Sequence, residues 1–290
     1  MIIVLRDKQI MPPPWIAYPY IERYSIGWRW GSGESYIIKW GEWFEALDEN
    51  ETAEYKELFP EPVTWKGYWN DTHEGFYFQK EEFLIDYWRE NGTPKYSIEQ
   101  IRDMFSKKKK LKYTMFWGHQ PSSDGSITKS CFSQWWKSEF WSVADTYCCM
   151  EQFMMAEKAR LFGDEETCGQ ILKCSDPKKI KALGRKVRNF DENVWNEVKY
   201  SIVLNGNYFK FTQNPELREF LLNTGDSVIA EASPYDGIWG IKMRQTDENI
   251  FNPLKWKGEN LLGFALMEVR DEIRRVWKNA DKCNFEMITD

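Results

Sequence analysis

With 290 residues, 42% of them hydrophobic, the chain can bury a substantial core, and its length suits one large or two modest domains. A net charge of −6 excludes a general nucleic-acid coat protein, although it permits a local basic groove. Two histidines leave few candidates for a zinc cage or a histidine-based triad. Carboxylates and lysines are therefore the expected catalytic groups.

The cysteine pattern and the hydropathy indicate a soluble cytoplasmic protein that is not exported. None of the six cysteines forms a Cys-x-x-Cys pair, which favours reduced thiols. The chain shows neither a signal-peptide pattern nor a stretch of about 18 apolar residues, so we expect no membrane partner. We also expect neither a metal ion nor an organic cofactor.

The first 110 residues are rich in aromatic side chains and hold eight of the sixteen tryptophans. This density predicts a folded, α-rich or α+β domain whose aromatic residues pack in a core, with base stacking as the alternative. Its predicted elements are an extended opening at Met11 to Trp15, helices from Glu34 to Asn50 and from Gln79 to Glu90, and a helix capped by Ser97 with Gln100 in a capping box.

A run of lysines, Lys107 to Lys110 followed by Lys112, marks the predicted domain boundary. Five neighbouring positive charges repel one another and cannot all be buried, which favours an exposed linker. The same run also suits a patch that steers phosphates toward the protein. We therefore predict an accessory domain over residues 1–110 and a second domain over residues 111–290.

Residues 146–162 predict a helix with two charges on an otherwise apolar face, which is formed by Tyr147, Cys148, Met154, Met155, Leu161 and Phe162. Glu151 and Lys158 share this face. They are separated by seven residues, or about 10.5 Å, too far for direct pairing along a helix. Burying such groups costs several kcal/mol unless partners replace water. The pattern indicates either a ligand in the gap or a structural ion pair completed by other segments.

Further helices follow in close order. They are predicted from Asp164 to Cys174, from Asp176-Pro177 onward, from Asp191 to about Thr212, from Asn214-Pro215 to Thr224-Gly225, and from Asn260 to about Trp277. A short strand is predicted from Ser227 to Ala230.

Two polar loops are candidate binding sites. The first, Glu231 to Gly240, follows the predicted strand and carries Asp236 and Trp239, although Asp236-Gly237 is also an ordinary turn sequence. The second, Gly258 to Gly263, begins the last helix. Its free N–H groups suit a phosphate, and its alternative role is an ordinary asparagine cap.

Seven sequence blocks occur in order over residues 113–277: Phe132-Ser-Gln-Trp135, Glu151 to Phe162, Lys181-Ala-Leu-Gly-Arg185, Phe209 to Arg218, Thr224-Gly-Asp226, Glu231 to Gly240, and Trp256 to Gly263. Together these blocks resemble the NADAR family, also called YbiA-like. The chain departs from the family in two respects: Gln134 stands where many members carry Asn, and residues 1–110 have no counterpart in the minimal domain. Both departures bear on the identity of the substrate more than on the type of reaction.

The resemblance implies a mainly α, multihelical fold with a few short strands. It also implies N-glycosidase activity on a ribose that bears a phosphate or ADP group. The expected substrate is ADP-ribose attached to guanine in nucleic acid. The alternatives are early riboflavin-pathway intermediates, or a module that binds ADP-ribose without cleaving it.

The resemblance also suggests roles for individual residues. Glu151 is expected to be the carboxylate beside the anomeric carbon. Lys158 either attacks this carbon to form a Schiff base or holds a phosphate. Asp236 would bind the ribose hydroxyls or the leaving base, and Trp239 would stack on the base. The other substrate-binding candidates are Ser133, Gln134, Trp135, Glu231 and Gly240, with Lys210, Asn260 and Arg270 as phosphate candidates.

Overall fold

The structure, a computed structural model, describes residues 5, 8–70, 94–142 and 145–288. The chain divides into two compact units: the first comprises residues 1–79, 142–144 and 271–290, and the second comprises residues 80–141 and 145–270. The described elements are mainly helical, which confirms the predicted fold class. The boundary predicted near residue 110 stays a prediction.

The first unit is built from helices around an aromatic core. Its elements are α1 (Pro14–Ala17), α2 (Gly31–Glu45), α3 (Glu49–Leu58) and 3₁₀ turns at Ile26–Arg29, Val63–Trp65, Ala280–Lys282 and Phe285–Ile288. Trp15 contacts Trp65 and Trp69 at ring-centroid distances of 5.3 and 5.2 Å. The buried Tyr55 hydroxyl donates to the Met11 carbonyl over 2.8 Å. Core packing of the aromatic residues is therefore confirmed.

Two predicted boundaries in this unit are wrong. The helix predicted from Glu34 to Asn50 begins at Gly31 and ends at Glu45, because Asp48 starts a new helix. The Asp48 carboxylate accepts the Asn50 and Glu51 N–H groups, and the Glu51 side chain accepts the Asp48 N–H. The predicted extended opening turns into α1 after Pro13, an extended N-cap residue. The helix predicted from Gln79 to Glu90 lies outside the described residues.

The remaining elements run from α4 onward. In chain order they are α4 (Ile98–Ser106), β1 (Tyr113–Phe116), β2 (Phe140–Ser142), β3 (Asp145–Tyr147), α5 (Met150–Leu161), α6 (Glu165–Leu172), α7 (Pro177–Gly184), α8 (Glu192–Gln213), α9 (Pro215–Leu222), β4 (Val228–Glu231) and α10 (Leu261–Val276). The predicted helices and the strand of this region are confirmed to within a few residues. Their caps explain why: Ser97, Asp176 and Asp191 each accept backbone N–H groups of the first turn.

Helix α5 differs from its prediction in its start and in its burial. Tyr147 belongs to β3, and Cys149 is an extended N-cap residue, so the helix begins only at Met150. Helices α6, α7 and α8 all pack against α5. Most of its side chains are consequently buried on every side, and the predicted amphipathic face is wrong.

Strands β1 and β4 pair in parallel, with Phe116 opposite Glu231. Helix α10 lies close to β4, because a Cβ atom on Gly263 would be 2.2 Å from the Ile229 carbonyl oxygen. The buried Asn260 side chain bonds to the same strand, accepting from Glu231 N at 3.1 Å and donating to Ile229 O at 2.9 Å. These contacts fix the backbone at the end of β4. Strands β2 and β3 form a second two-stranded sheet.

Among the residues that the structure describes, no helix has the length and apolar character that crossing a membrane requires.

Candidate active site

A cleft of about 830 Å³ lies in the second unit, a size typical of small-molecule sites. It brings together residues from α5, α7, α8, the end of β4 and the loops that follow β1 and β4. Eight of the residues predicted from the sequence line it: Ser133, Gln134, Trp135, Glu151, Lys158, Glu231, Asp236 and Trp239.

Glu151 lies in the first turn of α5, with only 2% of its surface exposed. Its Oε2 accepts a hydrogen bond from Trp135 Nε1 over 3.0 Å. Its Oε1 is buried and has no hydrogen-bond partner among the described residues. Burial raises the pKa of the carboxyl group, Lys181 and the Trp135 bond oppose the rise, and Asp236 adds to it. One oxygen is therefore fixed, while the other is left for a ligand.

Lys158 follows two turns later on α5 and is half-buried in the cleft wall. Its Nζ donates to the Gly184 carbonyl over 2.9 Å and lies 4.0 Å from the centroid of the Phe190 ring. Burial lowers the pKa of this lysine. Within the described ranges, neither Glu151 nor Lys158 forms an ion pair, so the structural pair considered from the sequence is not formed.

The loop after β4 has its own internal hydrogen bonds. Asp236 Oδ1 accepts the N–H groups of Ile238 and Trp239 at 2.9 and 2.8 Å. Asp236 thus both forms a turn and lines the cleft, so the two roles considered from the sequence are compatible. Gly240 is not part of the lining; a Cβ atom there would approach the Glu231 carbonyl oxygen to 2.8 Å. Its role is close backbone packing.

Three carboxyl groups meet in this cleft: Glu151, Glu231 and Asp236. Burial raises the pKa of Glu231 to about 8, and the charges of Asp236 and Glu151 contribute, while Lys181 opposes the rise. Like charges that share a site cannot all ionise readily, so this cluster retains a proton near neutral pH.

The three phosphate candidates from the sequence do not line the cleft. Lys210 is fully buried and donates to the Cys131 and Ser133 carbonyls at 2.6 and 3.3 Å, and burial lowers its pKa to about 8. Arg270 donates to Thr224 Oγ1 and to the Ser227 carbonyl. Asn260 bonds to β4, as described above. Lys210 and Asn260 thus bond to the backbone of the lining residues Ser133 and Glu231, and we assign none of the three side chains to the substrate.

The start of α10 is also not a phosphate site. The N–H groups of Asn260, Leu261 and Leu262 donate to the Gly240, Ile238 and Trp239 carbonyls. The Asn260 side chain binds β4 instead of capping its own helix, so neither role considered from the sequence applies. The family block at this position joins the helix to the loop that carries Asp236.

Two basic residues of the cleft were given no role in the sequence analysis, although both belong to the Lys181-Ala-Leu-Gly-Arg185 block of the family resemblance. Lys181 lies in the last turn of α7, Arg185 follows four positions later as the C-cap residue, and both line the cleft. Lys181 Nζ is 5.9 Å from the Trp135 ring centroid. The four-residue spacing was a usable signal, but other lysines of the same helix obscured it.

Further unpredicted lining residues are mostly aromatic or small. They are Trp117, Gly118, His119, Gly184, Trp195, Ser233, Tyr235 and Ile238. Trp117 and Tyr235 are 50% and 81% exposed, which leaves both rings available to stack on a ligand.

Residues 115–274 match the model of the NADAR domain, which covers more than half of the chain. The chain belongs to the NADAR family, as the resemblance of residues 113–277 predicted. The first unit's residues before position 115 lie outside this match.

Two N-glycosidases of other organisms support the same assignment. The chain is 43% identical to N-glycosidase R617 of Acanthamoeba polyphaga mimivirus over 166 residues, which cover 56% of this chain and 96% of that protein. It is 32% identical to N-glycosidase Npun_R5314 of Nostoc punctiforme over 135 residues, 46% of this chain and 80% of that protein. The NMR structure of E. coli YbiA aligns at 26% identity with a TM-score of 0.45, covering 57% of this chain and 87% of that one.

Proposed function

We propose that this protein hydrolyses the bond between a base and the ribose of ADP-ribose, and that it removes ADP-ribose from guanine in nucleic acid. The broader class is that of its relatives R617 and Npun_R5314: the chain is a hydrolase that acts on N-glycosyl bonds. The observation that carries the proposal is the buried Glu151 carboxylate, which has one oxygen held by Trp135 and the other unpartnered among the described residues of the cleft.

Cleavage of a ribosyl C–N bond places positive charge on the anomeric carbon, and a nearby carboxylate stabilises that charge. A carboxylate with a raised pKa is also a better base for a water molecule or an amine. The two oxygens of Glu151 suit this task, because the Trp135 bond fixes the orientation of the group. The ammonium group of Lys181 favours its ionised form.

Lys158 is the proposed nucleophile. Its lowered pKa favours the neutral amine, whose lone pair attacks the anomeric carbon as the bond to the base breaks. The electron pair of the broken bond leaves with the base. Ring opening then gives an imine, and water releases the sugar and regenerates the lysine. The alternative is that water attacks directly and Lys158 binds a phosphate.

The cationic and aromatic residues of the cleft suit a nucleoside diphosphate. Lys181 and Arg185 supply positive charge at the C-terminal end of α7, where a diphosphate can form charge-assisted hydrogen bonds. Trp117, Tyr235 and Trp239 offer aromatic surfaces for two bases, the adenine of ADP-ribose and the guanine that leaves. This number of aromatic groups supports ADP-ribosyl guanine over a small ribosyl phosphate.

A substrate panel tests this proposal. ADP-ribosylated guanine in an oligonucleotide, ADP-ribosyl guanosine and a ribosylaminopyrimidine phosphate are each incubated with the protein, and released products are separated by chromatography. We expect release of ADP-ribose from both guanine substrates. Cleavage of the pyrimidine substrate alone would instead identify a riboflavin-pathway activity, and binding without release would identify an ADP-ribose-binding module.

A further inference from the structure

Glu231 ends β4 with a backbone that is fixed on both sides. Its N–H donates to Asn260 Oδ1 over 3.1 Å, and its carbonyl accepts from Ile241 N over 2.9 Å. Across the sheet it lies opposite Phe116 in the parallel register. Its side chain lines the cleft together with Glu151 and Asp236. The backbone that carries this carboxyl group is therefore fixed by the core of the fold.

The three carboxyl groups of the cleft differ in the donors that stabilise their ionised forms. Glu151 accepts a bond from Trp135 Nε1, and Asp236 accepts two backbone N–H groups. Within the described part of the chain, no donor is bonded to the Glu231 carboxyl group. The lack of a bonded donor favours the protonated form of Glu231, and burial together with its acidic neighbours raises the pKa of that residue to about 8. The charged and titratable groups that line the cleft with it are Glu151, Asp236, Lys181, Lys158, Arg185, His119 and Tyr235.

We propose that Glu231 is the general acid that donates a proton to the leaving nitrogen of the base. This inference rests on the proposed N-glycosidase function and adds a third catalytic residue to it. As the C–N bond breaks, its electron pair goes to the base nitrogen, and the Glu231 proton moves onto that nitrogen. Water supplies hydroxide to the anomeric carbon, directly or through the imine, and its proton passes to Glu151. Exchange with solvent returns both carboxyl groups to their starting states.

A general acid at Glu231 must be protonated before the C–N bond breaks, while the sugar gains positive charge during that step. A guanine nitrogen leaves poorly without protonation, and a positioned acid contributes roughly 100- to 10,000-fold to such a step. An N-ribosyl pyridinium differs, because its base leaves as a neutral molecule and needs no proton. Substrates that share ADP-ribose but differ in this leaving group therefore isolate the proton transfer.

The test compares the steady-state kinetics of wild type and Glu231→Gln on ADP-ribosyl guanosine and on NAD⁺, whose base leaves as a neutral pyridine. Glu231→Gln should lose about 100-fold in rate on the guanine substrate, with KM changed by less than about threefold. Hydrolysis of NAD⁺ should change by less than about threefold. Glu197→Gln is the matched control, because this exposed glutamate on α8 is not part of the cleft.

A pH profile gives an independent readout. The acid must be protonated, so the wild-type rate should fall as pH rises through about 8, and this fall should disappear in Glu231→Gln. A variant that keeps the alkaline fall, or that loses activity equally on both leaving groups, overturns the assignment. If wild type leaves the guanine probe intact but cleaves a ribosylaminopyrimidine phosphate, the proposed substrate is wrong, and the same pH comparison on that compound decides the role of Glu231.

Discussion

Trp135 Nε1 donates to Glu151 Oε2 over 3.0 Å and holds the carboxylate at the first turn of α5. The same carboxylate keeps Oε1 buried and without a partner in the described chain. An unsatisfied buried oxygen costs about 1–3 kcal/mol, and more on a charged group. A sugar hydroxyl that donates to Oε1 would therefore stabilise the ionised form of Glu151.

We predict that Glu151→Gln folds normally and loses at least about 100-fold in turnover, because glutamine keeps the shape and removes the base. Steady-state rates and circular dichroism measure the two effects, with Glu197→Gln as the exposed control. Unchanged turnover in a folded variant would eliminate Glu151 as the catalytic carboxylate. Failure to fold would assign the residue a structural role.

Lys158 should become covalently linked to the sugar during turnover. Borohydride reduces an imine to a stable amine, so its addition should leave an adduct that peptide mass spectrometry locates at Lys158. No adduct should appear without a cleavable substrate. If wild type turns over rapidly without trapping and Lys158→Arg keeps most of its activity, water attacks directly and Lys158 binds a phosphate.

Lys181→Ala and Arg185→Ala should weaken the binding of substrates that carry a diphosphate. A lost charge-assisted bond should raise KM by about tenfold or more for ADP-ribosyl guanosine. The KM for ribosyl guanine without a phosphate should rise much less. Lys179→Ala is the control, because this exposed lysine of α7 lies outside the cleft. Equal effects on both substrates would place the two cations elsewhere in the mechanism.

The stability of the protein should depend on Glu231 in a defined direction. Its pKa is raised from 4.5 to about 8 on folding, so the folded state binds more protons than the unfolded state in this window. The free energy of unfolding therefore falls as pH rises from about 4.5 to 8. Glu231→Gln lacks this loss, and its melting temperature should exceed that of wild type by at least about 2 °C at pH 9. If the difference in melting temperature between Glu231→Gln and wild type does not increase with pH, the raised pKa of Glu231 is contradicted.

Gly263→Ala should destabilise the protein and displace the end of β4. The new Cβ atom would lie 2.2 Å from the Ile229 carbonyl oxygen, which is backbone and cannot move aside cheaply. We expect a loss of about 1–3 kcal/mol and a fall in activity. Gly169→Ala in α6 meets nothing within 4 Å and should instead stabilise the helix by about 0.5–1 kcal/mol. Thermal unfolding measures the stability of both variants. Similar changes in stability would contradict the claim that close packing against Ile229 requires glycine at position 263.

The parts predicted from the sequence depend on local interactions. The caps at Ser97, Asp176 and Asp191 join a side chain to backbone groups within three residues, so short motifs suffice to identify them. Glu151 and Lys158 were found because both occur on a segment too apolar to be exposed. The prediction failed where local signals competed. One helix was predicted from Glu34 to Asn50, but Asp48 caps the start of α3, and α2 ends before it at Glu45.

The remaining site residues depend on tertiary contacts. Lys181 and Arg185 reach the cleft because Gly184 brings α7 against α5, where a Cβ atom would lie 1.9 Å from Met155 Sδ. Their four-residue spacing and their place in a family block mark the pair, but neither signal shows that the pair faces a cleft. Lys210 was predicted to bind a phosphate, but its ammonium group donates to two backbone carbonyls of residues more than 70 positions away in the sequence. A sequence pattern does not separate such a buried structural cation from a ligand-binding one.

The most direct test is a time course of wild type on an oligonucleotide that carries one ADP-ribosylated guanine. Free ADP-ribose and the unmodified strand are measured together by chromatography and mass spectrometry, with Glu151→Gln in parallel. We predict that both products accumulate in equal amounts with wild type, and that neither accumulates with Glu151→Gln. Stable binding of the oligonucleotide to wild type without release of either product, even with enzyme in excess, would contradict N-glycosidase action on this substrate.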